Sequence, residues 1–157
     1  GVAALIWSPE KAAYILLRRS EGKDFAPGAW ECVTGRVDQG EGFEDAVRRE
    51  VREELGVEIE IDFVVGTTHF YRGSEAVENE LIGVIYHCSL EESDAVVLSA
   101  EHSELRWVPP DEVAMLLNGA VASEAWLARV AERAMRMRSL LPPALIALNH
   151  RTGFEMG

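Results

Sequence analysis

The chain has 157 residues, 48% hydrophobic and 27% charged, the balance of one soluble globular domain with a core able to stand alone, which excludes disorder as an overall description. A formal net charge of −12 excludes a nucleic-acid polymer or an anionic membrane as partner, since both would repel it. The apolar run Leu140–Leu148 is too short to span a bilayer and is broken by Pro142 and Pro143. Gly1–Trp7 is apolar, but no basic segment precedes it and no cleavage-type sequence follows, so no signal peptide is expected. Cys32 and Cys88 stand far apart and outside any CxxC pair, and read as reduced, buried thiols of a cytoplasmic protein.

Val2–Trp7 and Tyr14–Leu17 are apolar segments separated by the turn residues Ser8-Pro9-Glu10-Lys11, a hairpin pattern. Trp30–Thr34 reads as the next strand, and Gly35 marks a turn or close backbone approach. From Phe43 the period changes: Phe43, Val47, Val51 and Leu55 recur every four residues with Ala46 beside them, an amphipathic helix stopped by Gly56. Val57, Ile59, Ile61 and Phe63 alternate with polar residues, a strand with one buried face, and Glu80–Ser89 is a second, central strand. Leu105–Val108 is a short strand stopped by Pro109-Pro110. Asp111–Leu117 then reads as a short helix, and Ala122–Leu140 as a longer one with Trp126, Leu127, Val130, Ala134 and Met137 inward. Without βαβ alternation, the order predicts a mixed sheet between helices, an α/β fold of one domain over 1–157; the 140–157 tail carries no pattern that fixes its packing.

One stretch carries chemistry. Glu50, Glu53 and Glu54 stand at i, i+3 and i+4 on the predicted helix, within an arc of roughly 100°. Stability alone would not choose this, because like charges at i,i+4 repel and these lie toward the negative end of the helix dipole. A hard divalent cation explains it, since magnesium takes oxygen ligands and one or two carboxylates per ion. Taken alone, a run like RREVREEL also fits a solvated face stitched by ion pairs from Arg48, Arg49 and Arg52.

The spacing decides between them. Gly35, Glu41, Arg49, Glu50, Val51, Glu53, Glu54, Gly56 and Val57 fill every defined position of the pattern G-x5-E-x7-R-E-U-x-E-E-x-G-U, U being a bulky aliphatic residue. A chance match at one starting point is on the order of one in 10⁹ at average residue frequencies. The chain therefore resembles the Nudix hydrolase family, over about Val2–Leu140, with the specific part between Trp30 and Val57. The resemblance implies an α/β/α sandwich with a mixed sheet and metal-dependent hydrolysis of a phosphoanhydride in a nucleoside diphosphate linked to a further group. It implies Glu50, Glu53 and Glu54 as metal-binding carboxylates, Glu41 beside them, Gly35 offering its backbone carbonyl, and Arg49 holding the carboxylates in place. Mg²⁺ is the expected ion, with Mn²⁺ able to substitute. Bound cations would reconcile so acidic a chain with a polyphosphate substrate.

Family members often carry a further glutamate on a later loop, as metal ligand or general base. Glu101 is the first choice, because Glu101-His102 before Trp107 resembles the nucleoside and dihydroneopterin triphosphate branch; Glu104 is the second. Trp30 and Tyr71, with Phe70, are candidates for stacking on a base, and Arg36, with Arg18, Arg19 and Lys23, for meeting phosphates. The segment Ala29–Val37 resembles the entry of nucleoside triphosphate pyrophosphohydrolases, although Val33-Thr34-Gly35 replaces Pro-Gly-Gly. No proline occurs between Val57 and Pro109, against the ADP-ribose subgroup, and a Lys-Gly-His entry typical of diadenosine polyphosphate hydrolases is absent. A nucleoside triphosphate is thus the expected substrate class. Nucleotide sugars, ADP-ribose and dinucleoside polyphosphates remain alternatives, as do a catalytically silent nucleotide-binding module and a homodimeric state.

Overall fold

The computed structural model describes residues 1–22, 25–71, 73–119 and 121–156. Strands β1 (Val2–Ser8) and β2 (Ala13–Arg19) form the expected hairpin, with Trp7 opposite Tyr14 and Ser8 opposite Ala13. Beyond these pairs the two strands part. The predicted Trp30–Thr34 strand bridges the gap in two pieces, β3 (Trp30–Glu31) on β2 and β4 (Val33–Gly35) on β1, broken at Cys32. This step from one strand to the other delivers Gly35 to the start of the acidic segment.

Helix α1 spans Phe43–Leu55, as the period predicts. Its Ala46, Val47, Val51 and Leu55 are buried, whereas Phe43 at the first turn is exposed. Gly56 follows at φ 68°, and its N–H donates to Arg52 O at 3.0 Å, a left-handed stop that glycine adopts without strain. Val57 and Ile59 are buried ahead of β5 (Glu60–Tyr71), which runs well past the predicted Phe63. It pairs antiparallel with β6 (Glu80–Ser89), and β6 pairs parallel with β1, so β6 is flanked on both sides as expected. Strand β7 (His102–Val108) pairs with β2 and starts earlier than predicted. The strand order β3-β2-β1-β6-β5, with one parallel pair among antiparallel ones, makes the sheet mixed.

Each face of the sheet carries its own core. Val47, Val51 and Leu55 of α1 pack with Ile6, Ile15, Val33 and Cys88 on one face. On the other, α3 (Ala122–Leu140) places Leu127, Val130, Ala131 and Ala134 against Leu5, Leu16 and Phe63, with Trp126 and Met137 partly buried beside them. The short helix α2 (Pro110–Leu116) contributes Val113 to the same layer. Inward residues along β1 and β2 thus serve both cores in alternation, the period that a strand imposes.

The tail folds into α4 (Pro143–Thr152). Pro142 and Pro143 break α3, yet Pro143 also begins the next helix, where its missing N–H costs nothing. α4 packs along β5: Asn149 Nδ2 donates to Asp62 O at 2.7 Å and His150 Nε2 to Asp62 Oδ1 at 2.8 Å. The buried Asp62 carboxylate also accepts from His87 Nδ1 at 2.8 Å and Ser89 Oγ at 2.9 Å. Among the described residues no helix is long and apolar enough to cross a membrane.

Candidate active site

The acidic positions of α1 are organised by one guanidinium. Arg49 clasps Glu41 with two bonds, Nε to Oε1 at 2.9 Å and Nη2 to Oε2 at 3.0 Å. Its Nη1 donates to Glu50 Oε1 at 2.9 Å and Glu53 Oε2 at 3.3 Å, and its Nη2 also reaches Arg36 O at 2.8 Å. A planar fork suits this task, because its five donors are fixed relative to one another. Arg49 hydrogen-bonded to Glu41, together with the Asp38 N–H, holds the Glu41 carboxyl below its ordinary range, and the same contact raises the Arg49 pKa further. Burial pushes Glu50 the other way, above its ordinary value, and Arg49 offsets this only in part.

Gly35 fits directly under Glu50. A Cβ at position 35 would lie 1.9 Å from Glu50 Cδ, so only glycine lets strand and helix approach this closely. Glu53 is largely exposed, with 59% of its side chain accessible. Glu54, one position on, is only 6% exposed, and its Oε2 lies 3.8 Å from His102 Nε2.

The last turn of α1 also fixes the loop before β7. Ser99 N–H donates to Glu54 O and Val97 N–H to Leu55 O, each at 2.9 Å, satisfying carbonyls that a helix end leaves open. Ser20 N–H holds Glu101 O at 3.2 Å from the other side. Glu101 is thereby brought to the same cavity as Glu54. Glu104 is spent elsewhere, on Arg106 at 2.8 Å and Arg18 at 3.5 Å.

This cavity encloses about 630 Å³, the size of a small-molecule site. Gly35, Arg36, Glu54 and Glu101 line one part of it, and Phe70, Tyr71 and Trp126 supply aromatic wall. Of the residues expected to bind substrate, Arg36 and Tyr71 reach it. Trp30 does not: it is 8% exposed and packs in the core beneath α3, with the Arg106 guanidinium 5.0 Å from its ring centre. Its place in a paired strand turns the indole inward, the commoner fate of an aromatic there. Arg19 lines the cavity, but its Nη1 is committed to Glu31 Oε2 at 2.6 Å and its Nε to Phe25 O at 2.8 Å. Lys23 lies outside the described residues.

Sequence reasoning missed Glu31. Its carboxylate ties Arg19 to His102, whose Nε2 donates to Glu31 Oε1 at 2.8 Å, and this network backs Glu54. The available signal was a glutamate between Trp30 and Cys32, an acid at a strand position between buried neighbours.

Among the described residues no three His, Cys, Asp or Glu side chains already converge at metal-holding distances. The donors nevertheless fit a hard divalent cation. The carboxylates of α1 stand on one helix face, Glu41 is joined to them through Arg49, and the Gly35 cradle opens the backbone beside Glu50.

A mixed sheet between helices, with a guanidinium-ordered acidic helix at a cavity, defines an α/β/α class built around the α1 segment. The NUDIX domain model matches residues 1–130. The chain belongs to the Nudix hydrolase family. It is 30% identical over 109 residues to the nucleoside triphosphatase NudI of Salmonella schwarzengrund (strain CVM19633), covering 65% of this chain and 77% of the relative. The crystal structure of the MutT protein from Methanosarcina mazei Go1 superimposes with a TM-score of 0.69 at 29% identity, covering 87% of this chain and 92% of that one. The Ap4A hydrolase of C. elegans shares the fold, with a TM-score of 0.68 at 20% identity over 89% of this chain and 97% of that one.

Proposed function

We propose that this enzyme is a Mg²⁺-dependent nucleoside triphosphate pyrophosphohydrolase. The observation that carries the reading is the cavity at which Glu54, Glu101, Gly35 and Arg36 meet, beside the carboxylates ordered by Arg49. The likeness to a nucleoside triphosphatase of Salmonella supports the triphosphate as substrate. Residues 1–157 act as one unit in this reading, in the cytoplasm, where the free thiols of Cys32 and Cys88 belong.

Glu50, Glu53 and Glu54 hold the metal, with Glu41 and the Gly35 carbonyl available beside them. Mg²⁺, or Mn²⁺ in its place, would polarise a phosphoryl oxygen and neutralise charge on the departing diphosphate or nucleoside monophosphate. Arg49 keeps the carboxylates in register and stays protonated throughout. Arg36 and Tyr71 position the nucleotide in the cavity. Glu101 takes the proton of the attacking water as the new P–O bond forms and the bridging P–O bond breaks. The tension between a chain of net charge −12 and a polyanionic substrate is resolved by the cations held at the acidic helix.

The test is phosphate and pyrophosphate release from nucleoside triphosphates, nucleotide sugars, ADP-ribose and dinucleoside polyphosphates, with Mg²⁺ and with chelator. Chelator-sensitive release of pyrophosphate from a triphosphate is expected. Preference for another member of the panel would replace the substrate assignment. Metal binding without turnover of any compound would reduce the protein to a nucleotide-binding module.

A further inference from the structure

The family match ends at residue 130, yet the chain beyond it returns to the acidic helix. α1 has no local side-chain cap: its N-cap is Gly42, and no neighbouring hydroxyl or amide satisfies its first N–H groups. Glu155 does so instead. Its Oε1 accepts the Phe43 N–H at 3.0 Å and its Oε2 the Glu44 N–H at 3.2 Å. Glu44 answers in kind, its Oε1 accepting the Glu155 N–H at 2.9 Å and that of Phe154 as well. The arrangement is a reciprocal capping box divided between two segments 111 residues apart.

Two glycines make the room. A Cβ on Gly42 would lie 2.5 Å from Glu155 Oε2, and one on Gly153 would lie 3.0 Å from both Glu44 carboxylate oxygens. The tail is fixed on either side of this contact. Asn149 and His150 bind Asp62, and the Phe154 ring packs 6.0 Å from Tyr86, against the core under α1.

We infer that Glu155 is a positioning residue for the acidic site. It fixes Phe43 and Glu44 at the start of α1, and so Glu41 two residues ahead, whose carboxylate is clasped by the guanidinium that orders Glu50 and Glu53. The inference rests on the reading that these carboxylates hold the metal. A carboxylate here also lies at the positive end of the helix dipole, an attraction that adds to the two hydrogen bonds.

Glu155→Ala and Glu155→Gln, in the full chain, test this by three readouts: amide hydrogen exchange at Phe43 and Glu44, Mn²⁺ affinity by electron paramagnetic resonance, and kcat and KM at varied Mg²⁺. A lost N-cap contributes on the order of a fivefold change. Glu155→Ala is therefore expected to speed exchange at both amides, weaken Mn²⁺ about fivefold and lower kcat at limiting Mg²⁺, with KM for substrate unchanged. Glu155→Gln, which keeps one carbonyl acceptor, is expected to recover part of each. Gly42→Ala, which displaces the carboxylate from the other side, should reproduce Glu155→Ala. Faster exchange with unaltered Mn²⁺ affinity and kcat would overturn the inference and leave the site reading intact. Unaltered exchange would overturn the cap itself. An unsubstituted protein that binds no Mn²⁺ would overturn the site reading, and this inference with it.

Discussion

Gly35 and Glu50 compete for one volume, and the glycine wins it for the carboxylate. Gly35→Ala would drive a methyl group into Glu50 Cδ, so the side chain must leave its place. Activity is expected to fall at least about tenfold, with a raised Mg²⁺ requirement, checked by metal titration of initial rates. Arg49 makes a comparable demand, because Glu41, Glu50, Glu53 and Arg36 O all draw on its fork. Arg49→Lys keeps the charge but cannot bridge four acceptors, and a loss of kcat of about tenfold or more is expected with little change in KM. Glu53→Gln and Glu54→Gln should each cut turnover about a hundredfold or more while the urea midpoint stays put, since they remove metal charge and not packing. Near-normal rates in both would remove these carboxylates from the chemistry. The grouping of these side chains was legible because the candidate site is built on one helix and its approach, where spacing in the chain is spacing in space. Glu31, Trp30 and the commitment of Arg19 were not, since each depends on which strand lies alongside.

Helix α1 was readable to the residue because period, C-terminal glycine and acidic face agree over a single stretch. Its hold on the sheet is apolar. Leu55→Ala, at a fully buried position, is expected to destabilise by about 3 kcal/mol, read as a lowered urea midpoint. Other elements show where local pattern stops. β5 continues past Phe63 because β6 supplies a partner as far as Glu80, a pairing that alternation in β5 alone does not announce. In the sequence Pro142 and Pro143 mark only a break in an apolar run, and the start of α4 at the second proline carries no separate signal. The exposed Phe43 fits the helical period but lies at the first turn, beyond the reach of the core.

The sandwich followed from element order, whereas the cavity and the docked tail needed contacts distant in sequence. Asp62 shows what such contacts do for the molecule as a whole. Burial would raise its carboxyl pKa, but hydrogen bonds from His87, His150 and Ser89 prevail and lower it; burial lowers His87, leaving the imidazole neutral. In the unfolded chain His87 takes a proton near its ordinary 6.5, while the native protein resists it. Stability contributed by this burial is therefore lost as pH falls below that value, and the Asp62 contribution follows on further acidification, below 3.8. The urea midpoint is expected to be lower at pH 5.5 than at pH 7.5, a window chosen above the range where protonating carboxylates would relieve the net charge. Asp62→Ala, which strands the buried His87 N–H, should cost about 3 kcal/mol. Both thiols lie in this same interior, at full depth, with burial pushing their ionisation far upward. Because the thiolate is the reactive form, alkylating reagents should ignore the native protein and mark only molecules that open. Cys32 in the core beneath α3 and Cys88 in the core under α1 would then serve as two clocks, one on each face of the sheet: equal labelling rates mean the molecule opens as a whole, and unequal ones show which face gives way first.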